Sequence, residues 1–408
     1  MTGGFLFEAI VYTILLTQMM KSVAIYLMKN IYLDYASSTP VAAEVIKAME
    51  PYWEDKFGNP GSTHWFGQQA SATVFKARQL IAQSLGGDYK NITFTSSATE
   101  ANNLALRGVL KQAKQKNPRI IVSAIEHESV LETCRDLEKE GVEVVYLPVN
   151  KEGVINLEQL KAAFNKRTVL VSVMYANNEI GTIQPIQEVS RLVKEYRGGA
   201  TYPLFHTDAV QAFQFLSCLV EKLGVDLLTL SAHKIYGPKG IGLLYIKDQE
   251  LVAPLITGGG QEDGLRSGTE NVPYIVGFAK AVELVEKNRK EEAKRLINLR
   301  DYFWQELKKI IPDIEINGSL KQRLPNNLNI YFPGRPATDL CIELDIWGLA
   351  VSSGTACSAR SIKPSYVIEA LGGSKDRAFS SLRLSLGRYT NKAEILSALK
   401  IFQQRFGK

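Results

Sequence analysis

At 408 residues, with 45% hydrophobic and 22% charged residues, the chain has an ordinary globular composition and the length of two or three domains. The formal net charge of +6 is small for this length. Its basic residues are interleaved with acids, as in Asn288–Arg295, which is a solvated helix face and no footprint for nucleic acid. The four cysteines (Cys134, Cys218, Cys341 and Cys357) form no close pair, and the four histidines (His64, His127, His206 and His233) have no metal-ligand spacing. A disulfide scaffold, a zinc knuckle and an intrinsic metal site are therefore not expected, and reduced thiols fit a cytoplasmic enzyme.

Residues 1–30 read as an apolar extension. Phe5 to Leu27 is apolar but broken by Glu8 and Lys21, and the uncharged run Ala9–Met20 is shorter than the ~20 residues that span a bilayer. Neither a secretory signal nor a mitochondrial presequence is expected, and a membrane partner is not.

From Ile31 onward, strand and helix patterns alternate. Gln68–Leu85 carries a helical apolar stripe closed by Gly86-Gly87. Strands follow at 91–95, 119–123, 142–147, 168–174, 204–207 and 226–230. Helices fall between them at 101–114, 129–140, 157–164 and 186–196. This is the rhythm of an α/β fold, a mainly parallel sheet covered by helices. After about residue 285 a long charged helix, 285–311, leads into an α+β module containing Asn327–Phe332. The expected organisation is a large domain over 45–285 and a smaller one built from 31–44 and 286–408.

The informative residues sit at strand ends, where open α/β sheets place their ligands. Leu204–Asp208 ends in an acid, and Asp226–Leu230 is followed by Ser231-Ala-His-Lys234. A strand-end amine and a strand-end carboxylate suit a pyridoxal phosphate site, needing one group for a Schiff base and one for the ring nitrogen. A solvated turn is the plain alternative for His233-Lys234. Thr95-Ser-Ser-Ala-Thr-Glu100 between a strand and a helix is an anion cradle, or merely an N-cap at Ser97 or Thr99. Glu126-His127 and Asn177-Asn-Glu179 follow other strands, and the latter is also good turn chemistry. Ser352–Ser361 is a run of small residues around Cys357. A thiol in such a loop is a nucleophile candidate, whereas Cys134, Cys218 and Cys341 read as core.

These runs together resemble the cysteine desulfurases of the class V aminotransferase group, within fold type I pyridoxal phosphate enzymes. The resemblance covers nearly the whole chain from Ile31. It rests on Tyr32–Tyr35, Phe57–Ser62, Ala98–Glu100, Glu126-His127, Asn177–Gly181, Asp208–Gln211, Ser231–Gly240, Arg266–Asn271, Ser352–Cys357 and Arg383–Gly387. It implies a large cofactor domain and a small domain carrying the cysteine loop. It also implies roles. Lys234 would hold the cofactor as a Schiff base, Asp208 its pyridinium nitrogen, and Gln211 its ring hydroxyl. His127 would stack on the ring and shuttle protons. Ala98, Thr99, Ser231 and His233 would cradle the phosphate, with Thr269 reaching it from the other subunit of a homodimer. Asn178 and Arg383 would clamp the carboxylate of L-cysteine. Cys357 would take the sulfur as a persulfide, serve an acceptor such as an iron–sulfur scaffold protein, and act at most as a transient iron–sulfur ligand. The segment resembles the long-loop branch. A selenocysteine lyase or another class V lyase or transaminase is the alternative activity, although a transaminase needs no thiol. Ser97 stands where the family usually has glycine before Ala-Thr-Glu.

Overall fold

The computed structural model describes residues 30–354 and 363–407. The apolar extension and the Cys357 segment read above lie outside the described residues.

The chain opens on a short strand, β1 (Ile31–Tyr32), and then builds β2 (Ile92–Thr95), β3 (Arg119–Ser123), β4 (Glu143–Leu147), β5 (Thr168–Ser172), β6 (Leu204–Asp208), β7 (Leu227–Ser231) and β8 (Gly242–Ile246). The strands β2 to β8 form one seven-stranded sheet in the order β2-β8-β7-β6-β5-β3-β4. Its pairings are parallel except those of β8 with β2 and β7. The inner strands β5, β6 and β7 are buried at every position. This is why they read as continuous apolar runs and not as alternating ones. Helices cover both faces. One face packs Phe94, Phe205, Leu228 and Phe278, and the other packs Leu104, Ile120, Leu170 and Leu244.

Beyond this sheet come β9 (Glu315–Ile316), β10 (Asn327–Tyr331), β11 (Leu349–Ala350) and β12 (Ser381–Ser385). β10 pairs antiparallel with both β9 and β12, while β1 pairs with β11. A separate apolar cluster, including Leu33, Phe303, Leu328, Leu384 and Phe402, fills this part.

The long helix differs from the sequence expectation. It runs over Val272–Ile310, 39 residues, and so starts well before 285. Asn271 caps it by accepting the Tyr274 N–H, and Pro273 follows in the first turn, a strong start signal. Its first half buries Ile275, Phe278 and Val282 in the large sheet's core, and its second half buries Leu296, Phe303 and Leu307 in the other cluster. The charged pattern marked only the second half. Among the described residues, no helix is long and apolar enough to cross a membrane.

Candidate active site

β6 and β7 lie side by side, with Asp208 opposite Thr229, so their carboxyl ends share one sheet edge. Asp208 is buried. Its Oδ1 accepts the Val210 N–H at 3.0 Å and its Oδ2 accepts Asn102 Nδ2 at 2.9 Å. Lys234 closes a single turn, Ala232–Lys234, directly after β7. Its Nζ donates to the carbonyls of Ala36 and Ser37, each at 2.7 Å. Gln211 Nε2 donates to the same Ala36 oxygen at 2.9 Å.

The helix after β2 begins at Ala98, three residues before the sequence pattern suggested, and Ser97 is its cap. Its first turn therefore holds Ala98 and Thr99, with backbone N–H groups left open to an anion. Glu100 pins this turn from behind. It accepts the Ser96 N–H at 2.8 Å and pairs with Arg266 at 2.9 Å, and these partners hold its carboxyl below the ordinary range.

A cavity of about 500 Å³ gathers these groups. Its walls include Ala98, Thr99, His127, Asn178, Asp208, Gln211, Ser231, His233, Lys234 and Arg383, all singled out in the sequence. Arg383, on β12, is almost fully buried. It donates to the Asn178 carbonyl at 3.0 Å, to Asp34 Oδ1 at 2.8 Å and to Ser37 Oγ at 2.6 Å. Thr269 is exposed and is not part of this protomer's cavity wall. Gly354 and Tyr366, on either side of residues 355–362, do line it.

Burial dominates the electrostatics. It pushes His233 down to about 4, aided by Lys234 and Lys239. It also lowers His127, against the pull of Asp208. Glu179, wholly buried, is raised to about 7 even though Ser365 donates to its Oε2 at 2.6 Å. The thiols of Cys134, Cys218 and Cys341 are each pushed up to about 12 by desolvation, which keeps them un-ionised at neutral pH.

Several residues at the site carried no assigned role in the sequence reading. Asp34 and Ser37 complete the setting of Arg383, and Ala36 supplies the oxygen shared by Lys234 and Gln211. Asn102 and Ser129 sit behind Asp208 and His127. Asp34 lay inside a quoted motif, but Asn102 had no signal beyond being a polar residue on a helix.

A parallel sheet with a strand-end lysine, a strand-end aspartate and a helix start around one cavity defines a pyridoxal phosphate site in an α/β enzyme. The chain belongs to the aminotransferase class-V family, whose model matches residues 31–397. It is similar to the cysteine desulfurase IscS of Dictyoglomus turgidum, at 46% identity over 92% of this chain and 94% of that one. It is similar also to that of Rickettsia typhi, at 44% identity over 93% and 91%. Among solved structures, a NifS-like protein superposes with a TM-score of 0.86 at 38% identity, covering 92% of this chain and 98% of that one. A NifS-like protein from Rickettsia africae gives 0.81 at 33%, covering 92% and 99%.

Pyridoxal phosphate is the cofactor of these relatives, and the residues present fit it. The cavity volume is that of a small-molecule site. Its wall offers a primary amine, a buried carboxylate and an open helix start, and Asn178 Oδ1 is buried with no protein partner.

Proposed function

We propose that this protein is a cysteine desulfurase, converting L-cysteine to L-alanine and holding the sulfur as a persulfide on Cys357. The observation that carries this reading is the convergence of Lys234, Asp208 and Arg383 on one cavity, with Gly354 and Tyr366 bringing both flanks of the thiol-bearing segment to its wall.

When bound, pyridoxal phosphate supplies an electron sink for negative charge at an amino acid's α-carbon. Lys234 would anchor it, and its amine would carry protons at that carbon. Asp208, fixed by two hydrogen bonds, would be the partner of the ring nitrogen. Gln211, held by the Ala36 carbonyl, would bond the ring hydroxyl, and His127 would lie against the ring. Ala98, Thr99, Ser231 and His233, which line the cavity, would hold the phosphate. Arg383 and Asn178 grip the substrate carboxylate, with the guanidinium already aimed by Asp34 and Ser37. The Cys357 thiolate then forms an S–S bond to the substrate sulfur as the substrate's Cβ–S bond breaks. Sulfur is oxidised, the three-carbon skeleton gains the electron pair and protons, and alanine leaves.

The enzyme is proposed to work in the cytoplasm, where thiols stay reduced, and to pass sulfur to an acceptor such as an iron–sulfur scaffold protein. It is proposed to act as a homodimer, with the partner's Thr269 completing each phosphate site. Two features support this. Thr269 is exposed and does not line its own cavity, and Trp53, Phe57, Trp65 and Phe66 are exposed, with Phe66 contacting both Phe57 and Trp65. Sedimentation should give twice the chain mass; a fully active monomer would overturn the dimer.

The test of the activity is product analysis. With L-cysteine and a reducing thiol, the protein should release alanine and sulfide in equal amounts. Keto-acid formation with no need for Cys357 would replace this reading with a transaminase.

A further inference from the structure

His127 caps the Glu128–Lys139 helix with its own ring, and its Nδ1 has two neighbours. The backbone N–H of Ser129 donates to it at 3.1 Å, and Ser129 Oγ lies 2.9 Å away. Ser129 Oγ is in turn 2.8 Å from Asn102 Nδ2, which is also 2.9 Å from Asp208 Oδ2. Asn102 is wholly buried, and its Oδ1 has no protein partner.

The direction of every proton in this chain follows from chemistry. An amide oxygen turned toward the Asp208 carboxylate would set acceptor against acceptor, so the amide nitrogen must face it. An NH₂ group has two protons, and the second points at Ser129 Oγ. That oxygen accepts, so its own proton is free to go to His127 Nδ1. The backbone N–H of Ser129 can only donate. Both neighbours therefore present hydrogen to Nδ1, and the neutral ring carries its proton on Nε2.

We infer that Asn102 is a positioning residue whose single NH₂ group both holds Asp208 and, through Ser129, fixes His127 as the Nε2–H tautomer. A ring held in this way offers the cavity a hydrogen-bond donor and no basic lone pair. A second proton would have to enter at Nδ1, against a backbone N–H. The charged groups acting on the ring are Asp208 from β6, Lys234 from the turn after β7, and Glu128 from its own helix. Of these, Asp208 favours a charged ring and Lys234 opposes it, while burial lowers the ring's pKa. His127 thus stacks and donates, and the proton shuttle expected of it passes to Lys234. That catalytic consequence rests on the desulfurase reading; the tautomer does not.

The experiment is ¹⁵N spectroscopy of protein labelled in histidine, first without cofactor and then with pyridoxal phosphate, with His127→Gln assigning the signals. Wild-type protein should show His127 protonated at Nε2 and hydrogen-bonded at Nδ1. Asn102→Leu, close in volume but without a donor, and Ser129→Ala should each shift the Nδ1 resonance and let the ring take up a proton more readily. The double variant should shift it no further than Asn102→Leu alone, because the two act in series. Steady-state kinetics should show kcat reduced by ~10-fold in Asn102→Leu with KM for cysteine changed less than ~2-fold. If Asn102→Leu fails to fold, Ser129→Ala carries the test alone, since it leaves the Asn102–Asp208 bond in place. Protonation at Nδ1 in the wild type, or an Nδ1 resonance unmoved by either variant, overturns the inference. Neither result depends on which reaction the protein catalyses.

Discussion

Arg383 and Asp34 form a nearly buried ion pair, with Nη2 2.8 Å from Oδ1, although 349 residues separate them in the chain. The proposed carboxylate clamp is thus part of the protein's own charge balance before any substrate arrives. Removing one partner of such a pair costs about 2–5 kcal/mol, mostly because the other charge is left behind. Arg383→Ala should lower kcat/KM for cysteine by at least ~30-fold. Asp34→Asn should raise KM, with the smaller effect. Unchanged KM in both variants would remove Arg383 from the carboxylate site.

Lys234, at the carboxyl end of β7, has its amine held against the Ala36 and Ser37 carbonyls. Lys234→Ala should abolish turnover and the visible absorbance that survives gel filtration of the loaded protein. An absorbance spectrum and an alanine assay on the same sample check this. Wild-type turnover in the variant would refute the assignment.

The thiols divide sharply. Cys134, Cys218 and Cys341 are raised to about 12 by burial and cannot supply a thiolate at neutral pH. Serine at Cys357 should still allow cofactor and cysteine to bind but release no alanine, because a hydroxyl is a weak nucleophile there. Alanine at Cys341 should leave sulfur transfer within ~3-fold of wild type, since desolvation keeps that thiol un-ionised. Mass spectrometry after brief turnover should find one extra sulfur on the Cys357 peptide. Persulfide on any of the other three would overturn the mechanism.

Glu179 supplies a pH dependence of stability. Its carboxyl is wholly buried, held by Ser365 Oγ, and raised from 4.5 to about 7. A raised folded-state value means that the native protein binds more protons than the unfolded chain between these two values. The contribution of Glu179 is fully present below about 4.5 and is lost as pH rises through about 7. Glu179→Gln should therefore flatten the stability profile in that window and be the more stable form above it. Urea midpoints from pH 5 to 8 measure this. A variant profile parallel to the wild type would rule it out. Gly354 bears on the same group, because a methyl there would fall 2.2 Å from Glu179 Oε2.

The large sheet was legible because its strands announce themselves. Arg119–Ser123 follows a proline and has the β-branched core Ile120–Val122, and its observed limits match the sequence reading. Lys234 and Asp208 were legible because strand ends are where such sheets carry chemistry, and both line the cavity. The start of the long helix was not, because its first half is apolar on the buried side and lacks the charge pattern of its second half. Asn102 was not legible either. Its partner Asp208 is 106 positions away, and nothing in Ala-Asn-Asn distinguishes a buried amide from a solvated one. Ser129 read as an unremarkable first-turn helix residue, and its contact with a ring two residues back is a matter of geometry alone. Cys357 was singled out by the small residues around it, and its role remains a proposal about chemistry.

The Val272–Ile310 helix contributes side chains to two hydrophobic clusters, one under the lysine and the other under the arginine. It acts as a common axle, because the same helix is packed into both clusters along its length. Heating or denaturant should therefore melt the two halves in one cooperative step. A methyl at Gly277, in the first half of this helix, would press on Met49 Sδ at 2.6 Å, and neither residue lines the cavity, so a substitution there strikes the axle and spares the wall of the site.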